Sequence, residues 1–140
     1  MSQYFDMGDE TLWNPSNGAA QLFVRQVRLY EDVLGVPSGI GTVKNDEYQV
    51  DPVGYEAFVG ALLAWRDRTN HSVIDALSAG FIATALALGD RARIDVSWPE
   101  PRIGYEGGRD LQAPAPASTQ PTWTDTAREQ ARELDRTMAR

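Results

Sequence analysis

From Ala76 to Gly89 the chain reads Ala-Leu-Ser-Ala-Gly-Phe-Ile-Ala-Thr-Ala-Leu-Ala-Leu-Gly, without one charged side chain. A soluble protein hides such a run only as a helix covered on nearly all sides, because exposed apolar surface forfeits about 25 cal/mol per Å². The run is shorter than the roughly 20 apolar residues a bilayer crossing requires. It therefore predicts the central helix of a small helical core, capped by Asn70 and ended by Gly89. Gly80 in its interior costs about 1 kcal/mol relative to Ala, which predicts a neighbouring helix packed closely at that point.

The chain before this run supplies the covering elements. Gln3–Met7 and Thr11–Trp13 read as two short extended pieces about the turn Gly8-Asp9-Glu10. Asn14-Pro15-Ser16-Asn17 is a helix start, and Ala20, Phe23, Val24, Val27, Tyr30 and Leu34 then recur at helical spacing before Gly35 and Pro37. Glu47–Val50 reads as a short strand. Asp51-Pro52 opens a second helix with Tyr55, Phe58, Val59, Leu62 and Leu63 on one face. The alternation in Ile94-Asp95-Val96-Ser97-Trp98 reads as a further strand. Beyond it, Pro, Gly and Ala dominate up to Ser118, as in an extended linker. A final helix carries the thin apolar stripe Ala127, Ala131, Leu134, Met138 beside the basic edge Arg128, Arg132, Arg136.

The expected fold is mainly α: a three-helix core with a small β element at the N-terminus, plus a linker-tethered C-terminal helix. The expected division is 1–98 for the helical core, 99–123 for the linker and 124–140 for the amphipathic tail. In the tail, Trp123, Leu134 and Met138 read as partner-binding residues. A Trp at the mouth of a tethered helix has no core of its own and suits docking.

Charge narrows the partners. The chain carries 20 acidic and 13 basic side chains, a net charge of −7. Residues 1–61 hold nine acids against three bases. That front half lacks the basic footprint nucleic acid requires and suits a basic protein partner. The chain has no cysteine, which removes thiolate nucleophiles and zinc-thiolate sites. The N-terminus lacks a basic segment followed by a long apolar one, so no signal peptide or membrane association is expected and the location reads as cytoplasmic.

The candidate chemistry is sparse. His71 is the only histidine. It stands at the start of the central helix, four residues before Asp75, with Arg66 and Asp67 ending the preceding helix. As an active site, His71 would act as a general base oriented by Asp75, with Arg66 alongside. The plainer reading is a capping or surface histidine. Asp9-Glu10 and Asp46-Glu47 offer hard oxygen ligands but do not match a calcium loop. Gly35–Lys44 resembles a phosphate loop, yet it lacks the Gly-Lys-Ser/Thr run into a helix and the strand a dinucleotide loop follows. No metal and no cofactor is expected.

The segments Tyr4-Phe5-Asp6, Thr11-Leu12-Trp13-Asn14-Pro15, Leu22-Phe23 and Thr69-Asn70-His71 resemble a family of small uncharacterised actinobacterial proteins across residues 3–90. The resemblance implies no activity and no site residues. The expected function is a non-catalytic accessory or protein-binding role, of the immunity or antitoxin kind, towards a basic partner. The alternatives are a small cofactor-free enzyme using His71, and a structural homo-oligomer in which the tail helix swaps onto a second copy.

Overall fold

The computed structural model describes residues 1–100 and 122–140; most of the expected linker, 101–121, lies outside the described residues. In chain order the elements are strands β1 (Tyr4–Met7) and β2 (Glu10–Trp13), helix α1 (Asn17–Leu34), strand β3 (Glu47–Gln49), and helices α2 (Pro52–Asp67), α3 (Ser72–Arg91) and α4 (Trp123–Thr137). The three strands form one sheet in the order β2-β1-β3, with β1 antiparallel to β2 and parallel to β3. The fold is thus mainly α with a small sheet drawn from the N-terminal part of the chain.

Caps set most of the helix starts. The Ser16 side chain accepts from Ala19 N, and Asp51 accepts from Gly54 N ahead of Pro52. Gly35 ends α1 in the left-handed conformation, donating its N–H to Glu31 O. The central helix differs from expectation in its cap. His71, not Asn70, holds the N-cap position, and its side chain accepts from Val73 N and Ile74 N. The helix also runs two residues past Gly89, to Arg91. At 20 residues it has the length and hydropathy of a membrane-crossing helix, and half of that span is buried inside this fold.

Aromatic rings join the sheet to the helices. Phe5 of β1 stacks on Trp13 at 5.2 Å and on Tyr48 at 4.9 Å between ring centroids. Phe23 of α1 meets Phe5 edge-on and passes the packing to Phe81 of α3, on which Tyr30 stacks at 4.4 Å. Phe81 is buried at the junction of α1, α2 and α3. From α2, the fully buried Tyr55 donates its hydroxyl hydrogen to Ala85 O at 2.6 Å, and burial pushes its phenol pKa up.

Two expectations require correction. The segment from Ile94 to Trp98 forms no strand: it is extended, with Ile94, Val96 and Trp98 half-buried and Arg93, Asp95 and Ser97 exposed. Alternation there reflects one face laid on the helices, without a neighbouring strand to pair with. Gly80 is open: an added Cβ would meet nothing within 4 Å. The close approach occurs instead at Gly39 and Gly54. A Cβ at Gly39, whose φ is +75°, would lie 2.7 Å from Asp51 O and Tyr55 N.

Helix α4 does not stand apart from a three-helix core. Its small residues Ala127 and Ala131 are buried against the rest of the fold, and it packs along α3. Arg91 fixes its far end. This buried guanidinium donates to Asp135 Oδ1 (2.6 Å), Asp135 O (2.8 Å) and Met138 O (2.8 Å), and also reaches Leu12 O (2.8 Å) on β2. Asn14 N donates to Ala139 O at 2.9 Å beside it. The C-terminal residues are therefore tied to the N-terminal sheet through the last turn of the central helix.

Candidate binding surfaces

The histidine site comes together in part. Arg66 Nη1 lies 3.2 Å from Asp75 Oδ1, and Arg66 also donates to Thr69 O. Burial pushes the Asp75 carboxyl pKa above its ordinary value, with the charge of Arg66, and that of His71 when protonated, pulling the other way. The imidazole is committed elsewhere. His71 Nδ1 accepts the N–H groups of Val73 and Ile74 at 3.3 and 3.4 Å. A neutral imidazole has one acceptor nitrogen. With Nδ1 in that role, the proton sits on Nε2, which leaves no lone pair for proton abstraction.

Arg66 also covers the Trp123 ring, 4.7 Å from guanidinium carbon to centroid, and Trp123 Nε1 donates to Asp67 at 3.2 Å. On the other side Trp123 meets Trp98, with ring centroids 6.5 Å apart. Trp123 is therefore half-buried against its own chain. A small cavity of about 220 Å³ lies between Arg66, Asp75, Ile82, Trp123 and Gln130.

Of the acids considered as metal ligands, Glu10 has another role. Glu10 forms a two-pronged bridge to Arg93 at 2.7 and 3.0 Å, which lowers its pKa. Among the described residues no group of three or more acids or histidines converges on a metal position. The glycine-rich loop after α1 turns its carbonyls to Arg28, which donates to Ile40 O and Gly41 O, and gives Ser38 N to Glu31.

A groove lies on the outer face of α1 and α3. It encloses about 470 Å³ between Trp13, Leu22, Gln26, Thr84, Leu134 and Met138. Leu134 and Met138, expected as partner-binding residues, thus line one end of it, whereas Trp123 lies elsewhere. From that end two stripes continue. On α1, Leu22, Gln26, Leu29 and Val33 follow one another at 4, 3 and 4 residues. On α3, Val73, Leu77, Gly80 and Thr84 do the same. Phe23 and Tyr30 of α1 both stack on Phe81, which joins the two helices at that point. Leu77 is 75% exposed, Leu22 63% and Leu29 56%, and neither stripe carries a charge. Composition conceals this face, because exposed leucines and valines at helical spacing have the same local signature as buried ones. Their offset from Ala20, Phe23, Val27 and Tyr30 around α1 was the available signal.

Over residues 1–140 the chain matches a family of unknown function, DUF6086, and it belongs to that family. The match runs well past residue 90, where the sequence resemblance was expected to end, and takes in α4. No curated protein and no solved structure matches the chain.

Proposed function

We propose that this member of the family is a non-catalytic, cytoplasmic binding protein, an accessory or immunity-type partner of a basic protein, and that it takes a helix of that partner along the α1–α3 seam. The observation that carries this reading is the uncharged and exposed spacing of Leu22, Leu29 and Val33 on α1 and of Val73 and Leu77 on α3. Two stripes at 4-3-4 spacing offer the successive holes that a third amphipathic helix fills. The open flank of Gly80 allows close approach of that helix. The excess of acids in residues 1–61 favours basic residues at the margins of the incoming helix. The enzyme alternative has less support, since the one imidazole caps a helix with its acceptor nitrogen.

The test pairs Leu29→Glu with Leu77→Glu. Each side chain is exposed, so the melting temperature should stay within about 2 °C of wild type. Crosslinking in the source cells should recover a basic protein with wild type and lose it with the double variant. If both recover the same proteins, the seam is not the binding face. A dimer seen by light scattering with wild type and abolished by the double variant would replace the foreign partner with a second copy.

A further inference from the structure

A second concavity lies on the other side of α4. Its floor is apolar: Leu86 and Ala87 of α3, Ala131 of α4, and Ile94, Val96 and Trp98 from the extended segment. It encloses about 440 Å³, within the range of about 300–1,000 Å³ that small-molecule sites occupy. The rim is basic. Arg128, Arg132 and Arg136, one turn apart on α4, all border it. This concentration stands out in a chain whose net charge is −7.

The state of each charged group decides what the cleft attracts. Asp135 is already neutralised by Arg91 at 2.6 Å. Arg128 lies over the Trp98 ring, 4.2 Å from its centroid, with Asp125 at 3.8 Å. Arg132 lies 3.7 Å from Glu129 on exposed surface. Arg136 makes no ion pair among the described residues. Asp90 is the remaining acid in the lining. Within the lining, three guanidinium groups meet one uncompensated carboxylate; the partners Asp125 and Glu129 lie outside it on exposed surface, where ion pairs are weak, so the rim stays positive.

The geometry points to a binding site for a small apolar anion, a molecule with a hydrocarbon or aromatic body and one terminal carboxylate or sulfonate. The body would lie on Leu86, Val96 and Ala131, with its edge against Trp98. The acidic group would sit between Arg132 and Arg136, whose planar donors suit a two-oxygen acceptor. This site is separate from the helix-binding seam, which faces the opposite flank of α4.

The test uses 8-anilinonaphthalene-1-sulfonate, whose fluorescence rises in apolar surroundings, with dodecanoate and dodecanol as competitors. Wild type should bind the probe at one site, and dodecanoate should displace it at least about tenfold better than dodecanol, the margin of one charge-assisted hydrogen bond. Arg132→Glu with Arg136→Glu should weaken the probe at least about tenfold at an unchanged melting temperature. Leu29→Glu with Leu77→Glu should leave its affinity unchanged. Equal competition by the alcohol, full binding by the double arginine variant, or loss of the probe in the seam variant would each overturn the assignment.

Discussion

Replacing Arg91 with Met should unfasten the C-terminal helix and lower the stability of the whole domain. The side chain is 5% exposed and makes bonds to the Asp135 carboxylate and to the carbonyls of Leu12, Asp135 and Met138. Removing one partner of a buried ion pair costs about 3–5 kcal/mol. Asp135 is 41% exposed at its side chain, so water can solvate its carboxylate once Arg91 is gone, which favours the lower end of that range. Leu12 is fully buried, so its carbonyl loses a partner that water cannot readily replace. A loss of about 3 kcal/mol follows, a large share of the 5–15 kcal/mol typical of a domain. At this chain length that corresponds to a fall of about 10 °C in melting temperature. Arg91→Lys keeps the charge but not the fork that reaches three backbone oxygens and a carboxylate, so it should recover only part of the loss. Thermal melts and urea titrations of both variants measure this. If Arg91→Met melts within about 2 °C of wild type, the anchor reading is refuted.

Gly39→Ala should destabilise by more than about 2 kcal/mol in a urea titration, because the added Cβ meets backbone at Asp51 and Tyr55 from a left-handed φ. Deleting residues 123–140 should lower the melting temperature sharply, since it strips the cover from α3 and removes the acceptors of Arg91 at Asp135 and Met138; an unchanged melt would show that α4 adds nothing to the core. Glu31 gives the fold a dependence on acid. Burial opposes its ionisation, but the N–H of Ser38 and the guanidinium of Arg28 prevail and hold its pKa below the ordinary 4.5. Its contribution is therefore complete above pH 4.5 and lost as pH falls through the lower folded value. Glu31→Gln should flatten that part of a stability-versus-pH curve.

The features legible in the sequence were those set by near neighbours. Ser16, Asp51-Pro52 and Gly35 mark helix ends because caps act within three or four residues. The uncharged run from Ala76 gave the central helix, and Phe81 sits at its buried centre. The missed features all depend on distant partners. Arg91 looks like an ordinary basic residue at a helix end, yet its acceptors lie 44 and 79 positions away. Gly80 was read as a point of close packing, but a missing Cβ does not reveal which side of the helix is covered. His71, weighed as a base for its spacing from Asp75 beside the plainer reading of a cap, takes the cap role, which is again local: its partners are the N–H groups two and three residues on.

The candidate surfaces were less legible than the fold for a related reason. An apolar residue at helical spacing has the same local signature whether it faces a core or an absent partner, so Leu29 and Val27 look alike until the covering element is known. Helix α4 borders both surfaces. Through Leu134 and Met138 it closes one end of the seam, and through Arg128, Arg132 and Arg136 it forms the rim of the anion cleft. Both surfaces therefore depend on the hold of Arg91 on Asp135 and Met138. That dependence separates causes. Charge changes at Leu77 or Arg132 should each remove one binding function and spare the other, whereas loss of the Arg91 anchor should remove both together with stability. A variant of Arg91 that kept either function at full strength would show that the surface in question does not need α4.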